Sequence, residues 1–263
     1  MRNLSNLAIV CWGTVAMLAF SGASFADEGA VKANVTNGKN IFENGKPDTG
    51  VPACATCHGD KAMGMDAMGT PRLANVGYTY IVKQLTNFAE DKRKDLTMDQ
   101  MNGIAKGLTV QDRRDLAAYE DSFPKNPDPS DLNALKADGT VVGEVYKGQI
   151  LVRYGEVLGP NGAAEGKVSA CQSCHGFNGR GSDPVYPKIA QQKYVYIVNQ
   201  LTHWRDGSRA NDPLGQMQKI AQKLSDDDIH NAAAFLSQTS DSVEGDTYEM
   251  DNKTVLKNVT IVR

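Results

Sequence analysis

Residues 54–58 read Cys54-Ala55-Thr56-Cys57-His58, and residues 171–175 read Cys171-Gln172-Ser173-Cys174-His175. Each places two thiols at C-x-x-C spacing with an imidazole directly after them. Such a pair can add across the two vinyl groups of one haem, leaving thioether bonds, and the next His then offers an axial nitrogen to the iron. C-x-x-C-H is the attachment signature of c-type haem. A structural zinc site would need both Cys pairs on one metal, yet they lie 117 residues apart in separate repeats. A thioredoxin-like dithiol would need a βαβ pattern around it, and none is legible. The spacing therefore predicts two covalent haem c groups. Cys54 and Cys57 hold one, Cys171 and Cys174 the other, with His58 and His175 as iron ligands.

The fifth cysteine, Cys11, sits in a mostly apolar run from Leu7 to Phe20. Arg2 precedes that run, and Ala23-Ser24-Phe25-Ala26 follows it with small residues at Ser24 and Ala26. This reads as a signal peptide, residues 1–26, cleaved before Asp27. The run is shorter than the roughly 20 residues of a membrane span. Export predicts a periplasmic protein. No Cys outside the two motifs then remains for a disulfide framework.

With 28 Lys+Arg against 31 Asp+Glu, the formal net charge is −3, which argues against a nucleic-acid partner. Apolar residues at 41% and charged residues at 22% fit a globular chain, but aromatics at 7% are thin for two ordinary cores. Buried haem would supply the missing apolar bulk.

The chain is an internal duplication. Residues 71–119 align with 187–235 at an offset of 116, with 18 of 49 positions identical. The longest shared block is 80–86 against 196–202. A low-spin electron-transfer haem needs a sixth ligand, and Met favours a higher potential. The first repeat offers Met63, Met65, Met68, Met98 and Met101, whereas the second offers Met217 before the tail. Met217 falls on Met101, and Met98 falls on Leu214. The duplication thus selects Met101 and Met217.

On these residues the sequence resembles the dihaem cytochrome c4 family, two tandem class I cytochrome c domains covering essentially all of 27–240. The shared features are the CxxCHG starts (Gly59, Gly176), the Pro-basic-apolar-Ala steps (71–74, 187–190) and the Tyr-x-x-x-Gln-Leu helices. The resemblance implies an all-α fold, each domain wrapped around one haem, with Met101 and Met217 as axial ligands. It also implies that the Pro71 and Pro187 carbonyls accept a hydrogen bond from the axial His. The expected organisation is a first domain at 27–123, a linker at 124–143 marked by Pro124, Pro127 and Pro129, a second domain at 144–240, and a tail at 241–263 of unassigned role. The implied function is a periplasmic electron carrier between a donor dehydrogenase or cytochrome complex and an acceptor oxidase or reductase, with room for peripheral association with the inner membrane. No catalytic residue is expected. The alternative is the cytochrome subunit of an oxidoreductase such as a sulfide-oxidising flavocytochrome. Thiosulfate dehydrogenases of related construction use a Cys axial ligand, and no spare Cys survives signal cleavage here.

Several finer expectations follow. Thr109 with Asp112 and Ser225 with Asp228 resemble capping boxes opening helices at about 110–121 and 226–237. The second repeat carries seven more residues than the first between its early Gly and its Cys (Gly155 to Cys171 against Gly45 to Cys54). Strand alternation is weak and confined to 254–262. Arg93 and Arg209 are candidates for haem propionate contacts, with a solvated face as the alternative. Met63, Met65 and Met68 resemble a copper(I)-binding loop, with a plain loop as the alternative. His203 and His230 have no counterpart in the first repeat and read as surface or packing residues.

Overall fold

The computed structural model describes residues 32–124 and 141–239. The predicted signal peptide, residues 125–140 of the predicted linker and the predicted tail lie outside the described residues. The first repeat runs α1 (Val35–Asn44), α2 (Ala55–His58), α3 (Tyr78–Ala89), α4 (Met101–Lys106) and α5 (Val110–Asp121). The second repeats this order as α6 (Val145–Tyr154), α7 (Gln172–His175), α8 (Tyr194–Asp206), α9 (Gln216–Ala221) and α10 (Asp226–Gln238). Among the described residues, no helix is long and apolar enough to cross a membrane.

Both capping boxes form. The Thr109 side chain accepts from the Asp112 backbone N–H, and Asp112 accepts in return from Thr109 N at 2.9 Å. Ser225 and Asp228 do the same for α10. Each box satisfies two helix-end donors that would otherwise lack partners.

The terminal helices of each repeat cross at a glycine. A Cβ on Gly38 of α1 would stand 2.0 Å from the Asp115 carbonyl oxygen of α5. A Cβ on Gly148 of α6 would stand 1.9 Å from the Asn231 oxygen of α10. Missing side chains let the backbones approach, and the neighbouring apolar residues fill around them: Ile41, Phe42 and Leu116 in one core, Leu151, Val152 and Phe235 in the other. Phe42, Tyr119 and Phe123 pack ring to ring, with centroids 5.1 to 6.3 Å apart. Burying each such side chain contributes about 1.5–3 kcal/mol.

Among the described residues, the second repeat adds a pair of strands that the first lacks. The extra residues before Cys171 fold as an antiparallel hairpin, β1 (Glu156–Leu158) and β2 (Ala164–Lys167), pairing Glu156 with Lys167 and Val157 with Gly166. β2 is exposed throughout. The sequence reveals the added length but not the strands, because β2 reads Ala-Glu-Gly-Lys and buries no alternating face. The fold is otherwise helical, as the sequence predicts.

Candidate functional site

Each CxxCH motif is a single helical turn. His58 N donates to Cys54 O at 2.9 Å, and Gly59 ends the turn at φ 76°. His175 and Gly176 repeat this geometry. The His58 Nδ1 lies 2.9 Å from Pro71 O and the His175 Nδ1 2.8 Å from Pro187 O. A carbonyl can only accept, so Nδ1 carries the proton and Nε2 keeps its lone pair for a metal. Both rings are buried, and burial holds their pKa below the usual histidine value, favouring the neutral imidazole a metal needs. Burial also pushes the Cys54 thiol up to about 12 and the Cys171 thiol up to about 11. A reactive CxxC dithiol lowers its thiol pKa instead, so the dithiol reading fails on chemistry as well as on fold.

The predicted methionines sit at helix starts. Met101 opens α4, and Met217 is the second residue of α9. A carboxylate holds each helix end. Asp95 Oδ2 accepts from Met101 N at 3.2 Å and Gln100 N at 3.1 Å, while its Oδ1 accepts from Thr97 N and Met98 N. Burial pushes the Asp95 carboxyl up, but these backbone donors outweigh it and hold the carboxyl below its ordinary range. Asp212 Oδ2 accepts from Met217 N at 2.6 Å. Sequence reasoning missed both, because at the 116 offset Asp95 falls on Asn211 and Asp212 falls on Leu96. An Asp five or six residues before each Met was the available signal.

One continuous cavity of about 490 Å³ collects these groups. Cys54, Cys57, His58 and Met101 line it together with Cys171, Cys174, His175 and Met217. Met98 also lines it, so the cavity alone does not choose between Met98 and Met101. Met63 instead packs in the first core, and the copper reading loses one of its three thioethers. His203 lines the cavity half-buried, whereas His230 Nδ1 lies 2.6 Å from the Tyr194 hydroxyl as a packing group.

Across the middle of the cavity the two repeats exchange side chains reciprocally. Arg93 donates to its own Gln84 at 2.8 Å and across to Tyr196 at 3.0 Å and Gln200 at 2.9 Å. Arg209 donates to its own Gln200 at 2.5 Å and across to Tyr80 at 3.1 Å and Gln84 at 3.3 Å. Each guanidinium also lies over a ring of its own repeat, Phe88 at 4.5 Å and Trp204 at 4.2 Å. The solvated-face alternative for these arginines is therefore wrong. Their hydrogen-bond acceptors here are neutral amides and phenols, although two buried cations call for anions. Burial raises the Tyr80 hydroxyl, but Arg209 and Arg93 overcome that and bring it down to about 8. This positive centre, the apolar walls and the His and Met donors fit haem, whose propionates would supply the carboxylates. Among the described residues, no group of three or more His, Cys, Asp and Glu could hold a bare metal ion.

Two such turns, two methionine-bearing helices and a shared apolar cavity define an electron-transfer protein built around covalent haem. A cytochrome c family model matches residues 35–122 and 163–240. A thiosulfate dehydrogenase electron acceptor from Stutzerimonas stutzeri is 32% identical over 82% of this chain and 92% of its own length. A cytochrome c4 from Thiocapsa roseopersicina is 33% identical over 71% of this chain and 87% of its own. The reduced recombinant cytochrome c4 structure from Pseudomonas stutzeri matches with a TM-score of 0.57 at 26% identity, covering 79% of this chain and 99% of that one. The thiosulfate dehydrogenase TsdBA structure from Marichromatium purpuratum matches with a TM-score of 0.64 at 27% identity over 77% of this chain, which spans only 40% of that larger chain. The chain belongs to the cytochrome c family, as a dihaem protein of the c4 type. It carries covalent haem c and transfers electrons.

Proposed function

We propose that this protein is an exported, periplasmic dihaem relay that accepts electrons from a dehydrogenase and passes them to an oxidase or reductase. The observation that carries the reading is the convergence of both CxxCH turns and both methionine helices on one cavity with a reciprocal arginine centre. Bound haem supplies the ferric/ferrous couple. Cys54, Cys57, Cys171 and Cys174 fix its position through thioethers. His58 and Met101 ligate one iron, His175 and Met217 the other. Pro71 and Pro187 hold the two imidazoles in the ligating tautomer. Asp95 and Asp212 hold the methionine helices in register. Arg93 and Arg209 receive propionates at the seam between repeats. The domains run 27–123 and 144–240, joined by a linker at 124–143, with the tail at 241–263 beyond them.

For the donor, relatives named thiosulfate dehydrogenase electron acceptors favour a thiosulfate-oxidising enzyme. The cytochrome subunit of a sulfide-oxidising flavocytochrome is the second reading, and the named relatives favour it less. The ligand test is the far-red sulfur-to-iron charge-transfer band of the ferric protein, matured with haem. Met101→Ala and Met217→Ala should each remove one haem's share of the band. A band that survives in Met101→Ala and disappears in Met98→Ala would overturn the first assignment. Stopped-flow reduction by a thiosulfate dehydrogenase supplied with thiosulfate tests the donor, and no reduction on the turnover timescale would exclude it.

A further inference from the structure

One buried acid on the haem cavity has no part in electron relay as so far described. Glu120 lies near the end of α5, is 3% exposed, and lines the cavity where its charge reaches Cys54. Its Oε2 has no hydrogen-bond partner. The second repeat shows what the fold requires at this position. Asn75 N donates to Glu120 O at 3.0 Å, and Gln191 N donates to Leu236 O at 2.7 Å. The same backbone bond at the same place therefore carries Glu in one repeat and Leu in the other. Leu236 lines the cavity on its own side and satisfies the packing. An acid there costs desolvation that Leu avoids, and the fold gains no hydrogen bond at Oε2 in return.

We propose that Glu120 couples electron uptake at the first haem to proton uptake from solvent, while the second haem, with Leu236 in its place, has no such coupling. This rests on haem being bound by the first CxxCH motif. The balance is simple. The redox donor supplies one electron, which reduces ferric to ferrous iron. The ferric site carries one more positive charge than the ferrous site. Losing that charge raises the proton affinity of a nearby carboxylate in a low-dielectric cavity. Glu120 then takes one proton from water, its Oε–H bond forms, and reoxidation reverses both steps.

Other ionisable groups stand on the elements around Glu120. On its own helix Tyr119 feels its charge, and on the CxxCH turn Cys54 does so too. Haem attachment converts Cys54 to a thioether and removes it as an acid. From α1, Glu43 turns to Tyr119 and to Lys39. From α3, Tyr80 and Lys83 reach the cavity, Tyr80 bonded to Arg209. After the Pro71 step, Arg72 donates to Ala74 O and to Gln191. Before α4, Arg93 is held by Gln84, Tyr196 and Gln200, Asp95 by backbone amides, and Lys94 lines the wall. Burial lifts the Glu120 carboxyl to about 8, so it titrates within a physiological window.

The experiment is a spectroelectrochemical titration of the fully haem-loaded protein between about pH 5.5 and 9.5, a range that brackets the raised values of buried carboxyls. Met101→His, which should shift the first haem's potential, assigns the two waves. The first haem's potential should fall as pH rises, and the second should not follow it. A tenfold difference in proton affinity between the redox states appears as a fall of about 59 mV for one electron. Glu120→Gln, which keeps the shape but cannot titrate, should flatten the dependence. Glu120→Leu, which copies the second repeat, should do the same. The reduced-minus-oxidised infrared spectrum of the wild type should show a carboxylic acid C=O band that Glu120→Gln abolishes. Two His/Met haems with pH-independent potentials would overturn the inference, as would a slope that survives in Glu120→Gln. Failure of the underlying reading shows differently, as a protein carrying haem on the second repeat alone.

Discussion

Replacing Gly38 with Ala should cost far more than one methyl group suggests. The added Cβ would lie 2.0 Å from the Asp115 oxygen and 2.5 Å from its carbonyl carbon, where ordinary contact begins at 3.4 Å. The obstacle is backbone, so α1 must back away from α5 by about 1.4 Å, an overpacking that costs about 1–3 kcal/mol. Backing away also strains what Asp115 holds. Its carboxylate accepts from Asn34 N at 2.8 Å and Asn37 Nδ2 at 2.8 Å, both on the α1 side of the crossing. Losing one charged hydrogen bond adds about 1.5–3 kcal/mol, for a total of about 2.5–6 kcal/mol. For a protein of this size that is a fall in Tm of roughly 5–24 °C. Gly148→Ala should behave alike, against the Asn231 oxygen at 1.9 Å. Gly103→Ala is the control. It lies exposed in α4 with nothing within 4 Å of its Cβ, and it should gain about 0.5–1 kcal/mol. The assay is thermal unfolding of the haem-loaded protein by circular dichroism and calorimetry. If Gly38→Ala melts within about 2 °C of wild type, or all three variants shift in the same direction, the crossing argument fails.

Removing either capping hydroxyl, by Thr109→Ala or Ser225→Ala, should cost about 1 kcal/mol in denaturant unfolding, with the far-red band unchanged. Lys193 and Asp66 pair at 3.2 Å with side chains 1% and 3% exposed, and Asp66 also accepts from Val195 N at the start of α8. Lys193→Met should therefore destabilise by about 3–5 kcal/mol, and adding Asp66→Asn should recover much of the loss; additive losses in the double variant would count against the pair. Asp95 has a depressed folded-state pKa, so its contribution is complete above the unfolded value near 3.8 and is lost as pH falls through the lower folded value. The first haem's far-red band should thus weaken in acid, and Asp95→Asn should lose part of it already at neutral pH.

Legibility in the sequence followed the range of the interactions. The openings of α5 and α10 were readable because a capping box is complete within four residues. Haem attachment was readable because five consecutive residues carry it. The duplication then supplied long-range information that a single repeat would lack, singling out Met101 and Met217, both of which line the cavity. Gln84 and Gln200 escaped for the opposite reason. They occupy the inner stripe of α3 and α8, and each accepts from two arginines, one nine residues on in its own repeat and one more than a hundred residues away in the other. Arg93 sits in a Lys-Arg-Lys run that reads as surface, and the chain turns it inward while Lys92 stays outside. The hairpin at 156–167 showed only as length, since exposed strands need no alternation.

The arginine seam also bears on how such a chain could arise. Arg93 reaches Tyr196 and Gln200 as Arg209 reaches Tyr80 and Gln84. This is the self-complementary pattern of a twofold contact between identical subunits, in which residue i meets j and j meets i. In a true homodimer every substitution is made twice, so the two cofactors stay chemically equal and an electron gains nothing by choosing one. Joining the copies in one chain lifts that constraint. Glu120 can then stand where the other repeat has Leu236, and Lys193 can answer Asp66 where the first repeat has Gly77. The shared seam keeps the halves in register while the rest diverges, and divergence is what gives a symmetric pair a front and a back.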